Sequence, residues 1–134
     1  MEIENVVERS FIKVYSDMKL GEIIETAVVK SKRNIYPVVN RKNDKLEGII
    51  LLDDLRPIMF NQSLYNEVTA RELMQNPPTI INFEKDRMTS VMKKFQDTGA
   101  WNLPVESKGV YYGFVSKSRL LTAYRRKLID FSRS

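Results

Sequence analysis

The sequence predicts an α+β fold made from two copies of one small unit, each running strand, helix, strand, hairpin-like turn, strand, helix. Three observations predict it. Pro37 lies over Pro104, in Tyr36-Pro37-Val38-Val39 and Leu103-Pro104-Val105-Glu106. After a short polar turn come Gly48-Ile49-Ile50-Leu51 and Gly113-Phe114-Val115-Ser116, with Asp54 and Arg119 six residues past each glycine. Upstream of each proline, apolar residues recur at helical spacing: Leu20, Ile23, Ile24, Ala27 and Val28 in one copy, Met88, Val91, Met92 and Phe95 in the other. The second copy has a turn two residues shorter, which a surface loop tolerates.

Residues 1–9 form a lead-in whose Ile3, Val6 and Val7 are expected to dock as a helix. The first repeat spans 10–60. Phe11-Ile12-Lys13-Val14 reads as an extended run, Ser16 or Asp17 as the cap of the first helix, and Asp53 and Asp54 as acids at the start of the second. Residues 61–72 are a connector, in which Leu64, Val68 and the adjoining Leu73 suit a short helical bridge. The second repeat spans 73–128, with Thr79-Ile80-Ile81 extended and Asp86 as the helix cap. A unit of about 50 residues is too small to bury both faces of its sheet. Two such units gain a continuous core by stacking, so residues 1–134 are expected to form one module with pseudo-twofold symmetry.

Composition removes several functions. The chain of 134 residues contains neither Cys nor His. That excludes disulfides and thiolate metal sites, and removes the commonest neutral-pH base and metal ligand. No nucleophile–base pair stands out, so the chain is not expected to be an enzyme. No window holds eighteen apolar residues, and the acidic start MEIENVVERS is unlike a secretory signal, so a soluble fragment is expected. Between Lys108 and Ser134 seven Lys/Arg face one acid, Asp130. Such a tail suits anionic lipid, another protein or nucleic acid, or else a solvated helix end whose dipole favours cations.

The marked residues admit more than one reading. Two prolines at matched places point to matched strand geometry, at an edge or where the amide faces away. Gly48 and Gly113 suit a bulge or tight strand entry, or else close approach of backbone to a ligand such as an adenine ring. No phosphate-cradling glycine loop is present. Asp53 and Asp54 suit helix capping, binding of ligand hydroxyls, or a metal. Trp101, the single Trp, suits a seam between repeats or subunits. Tyr111 and Tyr112 alternate faces of one strand. Lys117 and Arg119 suit phosphate near a helix start, or acids across an interface. A nucleic-acid reading would have to stack bases on Tyr111, Tyr112 or Tyr124, and nucleic acid is not expected as a partner.

The paired marks YPVV…GIILLDDL and LPVE…GFVSKSRL resemble the CBS domain pair, named for cystathionine beta-synthase, whose β-α-β-β-α repeats stack into a Bateman module. LDDLRPIMF, ELMQNPPTI, VMKKFQDTGAWNLPV and GFVSKSRLLTAYR look more narrowly like the cytoplasmic C-terminal CBS pair of a bacterial ClC-family chloride channel. The resemblance implies a regulatory, homodimerising module that works beside the membrane domain of a chloride channel or chloride/proton antiporter. It places the module on the cytoplasmic side of the cell membrane. Ile23, Ala27, Met92, Phe95 and Trp101 are then the interface candidates. The alternative the family implies is an adenine-nucleotide sensor holding AMP or ATP between the repeats, through Asp54, Gly48, Tyr36, Gly113 and Ser116, with Lys117 and Arg119 as anion contacts. No cofactor is required by the first reading. The family pattern G-h-h-S/T-x-x-D is split here: the first copy has Leu51 at the hydroxyl position and keeps Asp54, while the second keeps Ser116 and has Arg119 at the acid position.

Overall fold

The computed structural model describes residues 3–133; Met1 and Glu2 of the lead-in and Ser134 lie outside the described residues. The chain divides into two compact units: Ser10–Pro77, and Pro78 onward together with the lead-in up to Arg9. The fold is α+β, and each unit carries the predicted β-α-β-β-α order.

In the Ser10–Pro77 unit a three-stranded sheet runs β2 (Val14–Tyr15), β3 (Ile35–Val39), β4 (Leu46–Leu51), with β2 and β3 parallel and β3 and β4 antiparallel. The helix between β2 and β3 begins as α1 (Leu20–Ile23) and widens into a π turn over Ile24–Val28. Within it the Thr26 hydroxyl donates back to the Glu22 carbonyl at 2.7 Å, the local competition that bends helices. Ser16 and Asp17 do not cap this helix. Its N-cap is Lys19, with no side-chain cap bond. Asp17 instead takes a bidentate bond from Arg41, and buried Ser16 accepts from Arg71 at 3.1 Å. The short α2 (Leu52–Leu55) follows β4, and α3 (Ala70–Leu73) ends the connector. Leu64, Val68 and Leu73 pack on a core of Val14, Met18, Leu20, Ile23, Ala27, Tyr36, Val38, Ile50, Leu55 and Ala70.

The other unit holds a four-stranded sheet in the order β1 (Val7–Glu8), β7 (Val110–Ser116), β6 (Asn102–Ser107), β5 (Ile81–Asn82). Its α4 (Met88–Thr98) ends at Gly99, whose φ of 68° is the left-handed stop that glycine adopts freely. Asp86 is not the N-cap of α4, which is Arg87. Asp86 ties the helix start down by accepting from the Ser90 hydroxyl, the Asn82 amide and Lys94. The last helix, α5 (Lys117–Arg133), leaves β7 directly. Ile3, Val6, Ile81, Val91, Phe95, Leu103, Val105, Val115 and Leu120 form the core.

The lead-in departs from its predicted helix. Ile3–Asn5 make one 3₁₀ turn, and Val7–Glu8 then pair antiparallel with β7, Val7 opposite Val115 and Glu8 opposite Phe114. An open strand edge offers unpaired amides and carbonyls, and a short extended segment satisfies them where a helix would not. Pro37 and Pro104 take matched places in central strands, so of the two expected settings the edge is excluded and the amide facing away remains. Each is tolerated because the neighbouring parallel strand is only two residues long. β2 pairs with Val38 and Val39, and β5 with Val105 and Glu106, so neither ladder reaches the proline.

Candidate functional site

The two strand-to-helix corners, where β4 meets α2 and β7 meets α5, are built on the matched glycines. One residue before each glycine is extra in the antiparallel ladder. Val38 faces Gly48 and Val39 faces Leu46, while Val105 faces Gly113 and Glu106 faces Tyr111. Glu47 and Tyr112 are therefore the bulged residues, and the bulge reading of the glycines holds. What approaches each glycine closely is the protein's own backbone. A Cβ on Gly48 would stand 2.9 Å from the Gln75 carbonyl oxygen, and one on Gly113 would stand 2.5 Å from that of Glu8. Ile49 and Gln75 exchange backbone bonds of 2.9 Å in each direction. Gln75 thus does for β4 what Glu8 does for β7.

At the first corner Asp54 lies exposed in the first turn of α2, and its Oδ2 accepts from Gln75 Nε2 at 3.2 Å. The α2 N-cap is Leu51, with no side-chain bond, so neither acid caps the helix; Asp53 pairs with Arg56 at 3.2 Å. Tyr36 is fully buried in the core of its unit, and its hydroxyl has no hydrogen-bond partner. Burial pushes that phenol above its ordinary value, with the Arg56 charge pulling the other way.

At the second corner Ser116 is buried and caps α5, its Oγ accepting the Arg119 amide at 3.2 Å. The Arg119 guanidinium stands 3.6 Å from Glu8 Oε1, and that carboxylate is only 7% exposed. Lys117 places its ammonium over the Trp101 ring at 5.2 Å, and its amide donates to the Trp101 carbonyl. Both cations proposed for an anion already have protein partners.

The corners are therefore the same device with opposite polarity. Asp54 meets a neutral Gln75 amide; Arg119 meets the Glu8 carboxylate. The first leaves a net negative group facing solvent, suited to accepting bonds from vicinal hydroxyls. The second is internally neutralised. Glu8 and Gln75 escaped the sequence reading, although a signal existed. The shift of 67 residues that carries Pro37 onto Pro104 also carries Glu8 onto Gln75. Among the described residues no group of three or more acidic side chains comes together to hold a metal ion.

The interface candidates are scattered by the fold. Ile23, Ala27 and Phe95 are buried in the cores of their own units, because the apolar stripes of α1 and α4 cover their own sheets. Met92 is half-buried against the same core as Phe95. Trp101 differs from these: it is 71% exposed. The other exposed large apolar residues among those described are Val29, Phe60, Val110, Leu121, Tyr124, Leu128 and Ile129.

The sequence model of the CBS domain matches residues 3–60. No curated protein matches the chain. Among solved structures, the CBS domain of a CBS domain containing membrane protein from Sphaerobacter thermophilus is 21% identical, with a TM-score of 0.73 over 91% of this chain and 86% of that one. CbpB in complex with c-di-AMP is 18% identical, with a TM-score of 0.77 over 99% and 90%. The CBS domain of a bacterial CNNM/CorC family Mg2+ transporter in complex with ATP is 13% identical, with a TM-score of 0.75 over 90% and 84%. The fold is that of tandem CBS repeats, and none of these three structures is a chloride channel.

Proposed function

We propose that this chain, folded as a tandem CBS pair, is a non-catalytic regulatory module that binds an adenine nucleotide through its first corner. The observation that carries this is Asp54: an exposed carboxylate at a strand-to-helix corner, bonded to a neutral amide and free to accept from ribose hydroxyls. The ligands in the c-di-AMP and ATP complexes of the same fold support adenine as the ligand class. The second corner is expected to contribute no ribose acceptor, because Arg119 stands where the acid would be and Glu8 neutralises it. One nucleotide per chain follows. Gly48 and Gly113 contribute through strand pairing, and Ser116 through its helix cap.

The parent protein on this reading is a membrane transport protein, with the module on its cytoplasmic side; the Sphaerobacter and Mg2+-transporter relatives support a membrane partner in general. The narrower chloride-transporter reading rests on the sequence resemblance alone. Titration calorimetry with AMP, ADP and ATP tests the nucleotide reading. Saturable heat at one site per chain, lost in Asp54→Ala, is expected. Flat titrations with all three nucleotides would remove it.

A further inference from the structure

We propose that α5 docks this module on the surface of an anionic lipid bilayer. The observation behind it is where the charge sits. The chain has 22 Lys/Arg and 17 Asp/Glu; α5 carries six of the former and one of the latter, which leaves sixteen of each elsewhere. The whole formal excess of +5 therefore belongs to one helix.

That helix also has an apolar face that its own unit does not cover. Leu120 is fully buried, and among the described side chains of α5 Ala123 is the last packed on the core. From Tyr124 to Asp130 every side chain is exposed. Leu121, Tyr124 and Leu128 are 42%, 40% and 52% exposed. At about 100° per residue they fall within about 60° of one another, on one stripe. Arg125 lies on one side of the stripe, between Leu121 and the 44% exposed Ile129, and Lys127 on the other, about 40° and 60° beyond its edges. Apolar side chains flanked by long cations that reach outward are the arrangement of a helix lying in the headgroup plane. A helical run of seven residues, 124–130, with every side chain exposed is marginal in water, so a cover for it is expected.

Charge chooses the occupant. A second copy of α5 on the same stripe would gather Arg125 and Lys127 of both copies along one seam, with no acid on that face of α5 to offset them. A polyanion such as RNA would neutralise the cations but leave Leu121 and Leu128 in water. A bilayer containing acidic headgroups satisfies both. No described helix is long and apolar enough to cross a membrane, so α5 lies on the surface. This inference is independent of the nucleotide reading, which concerns Asp54.

The test is co-sedimentation of the full chain with phosphatidylcholine vesicles, with or without about 30% phosphatidylglycerol, as salt rises from about 0.05 to 0.3 M. More than tenfold preference for the acidic vesicles is expected, falling with salt. Leu121→Ser with Leu128→Ser, and separately Arg125→Glu with Lys127→Glu, are each expected to weaken binding at least tenfold while thermal unfolding stays unchanged. Equal binding to both vesicle types overturns the proposal. So does acidic-vesicle binding indifferent to the leucine pair. A leucine variant that halves the mass in solution and leaves vesicle binding intact would assign the stripe to self-association and overturn it as well.

Discussion

Arg119 stands 3.6 Å from the Glu8 carboxylate, across 111 residues of sequence, while the Glu8 carbonyl lies against Gly113 on the neighbouring strand. The same two contacts in the other unit are made by Asp54 and Gln75 around Gly48. The charge at one position is reversed between the two corners, and its partner changes from a neutral amide to a carboxylate.

Arg119→Asp alone sets a carboxylate beside the nearly buried Glu8, and is expected to cost about 1–2 kcal/mol from like-charge repulsion and the lost ion pair. Adding Glu8→Gln rebuilds the Asp54–Gln75 arrangement and should recover most of that loss. Urea unfolding of the four proteins in the cycle measures the coupling. If the nucleotide reading is right, calorimetry of the double variant should also rise from one site per chain towards two.

Gly113→Ala drives a Cβ into the Glu8 carbonyl and to 2.8 Å from Val7 Cγ1. Strand β1 must move away from β7, at about 1–3 kcal/mol. Gly48→Ala meets the Gln75 carbonyl at 2.9 Å and Met74 Sδ at 3.0 Å, and the thioether can yield. The Gly113 variant is expected to lose more stability, and amide exchange at Phe114 should accelerate in it.

Tyr36→Phe removes a buried hydroxyl that has no hydrogen-bond partner. Stability is expected to stay level or to rise by up to about 1 kcal/mol. Nucleotide affinity should be unchanged, since the ring is enclosed in the core of its unit. A loss of affinity in this variant would return Tyr36 to the binding site.

Acid is expected to weaken the unit that contains α4. Burial raises the pKa of Asp86, but bonds from the Lys94 ammonium, the Asn82 amide and the Ser90 hydroxyl outweigh it, so the carboxyl stays below its ordinary 3.8. A folded-state pKa lowered in this way contributes stability above the unfolded value and loses it as pH falls through the folded one. Denaturant midpoints between pH 5.5 and 3 should therefore fall below about pH 4. Asp86→Asn should start lower and show a flatter decline.

The order of elements was legible because its signals are local. Prolines, glycines and the 3.6-residue period of Leu20 to Val28 and Met88 to Phe95 each constrain the backbone within a few residues. The pattern also marked the two corners, and the family resemblance marked their broken acid–hydroxyl motif. It misplaced Ser16, Asp17 and Asp86 as helix caps, because a polar residue near a helix start has other partners on offer once the chain folds. Arg41 sits 24 residues from Asp17, and Arg71 sits 55 from Ser16. It offered Ile23, Ala27 and Phe95 as interface residues because periodicity reports that a helix has an apolar face, not which surface covers that face.

By itself, then, the sequence determined two β-α-β-β-α units, the matched places of their prolines and glycines, and the concentration of positive charge on the last helix. Only tertiary structure decided that the lead-in becomes a strand on β7, that Gln75 does the same for β4, and that Glu8 neutralises Arg119 while Asp54 keeps its charge. The reason is physical. Hydrophobic period and turn chemistry act over a few residues, whereas edge pairing and ion pairing depend on which distant segments the fold brings within about 3–4 Å.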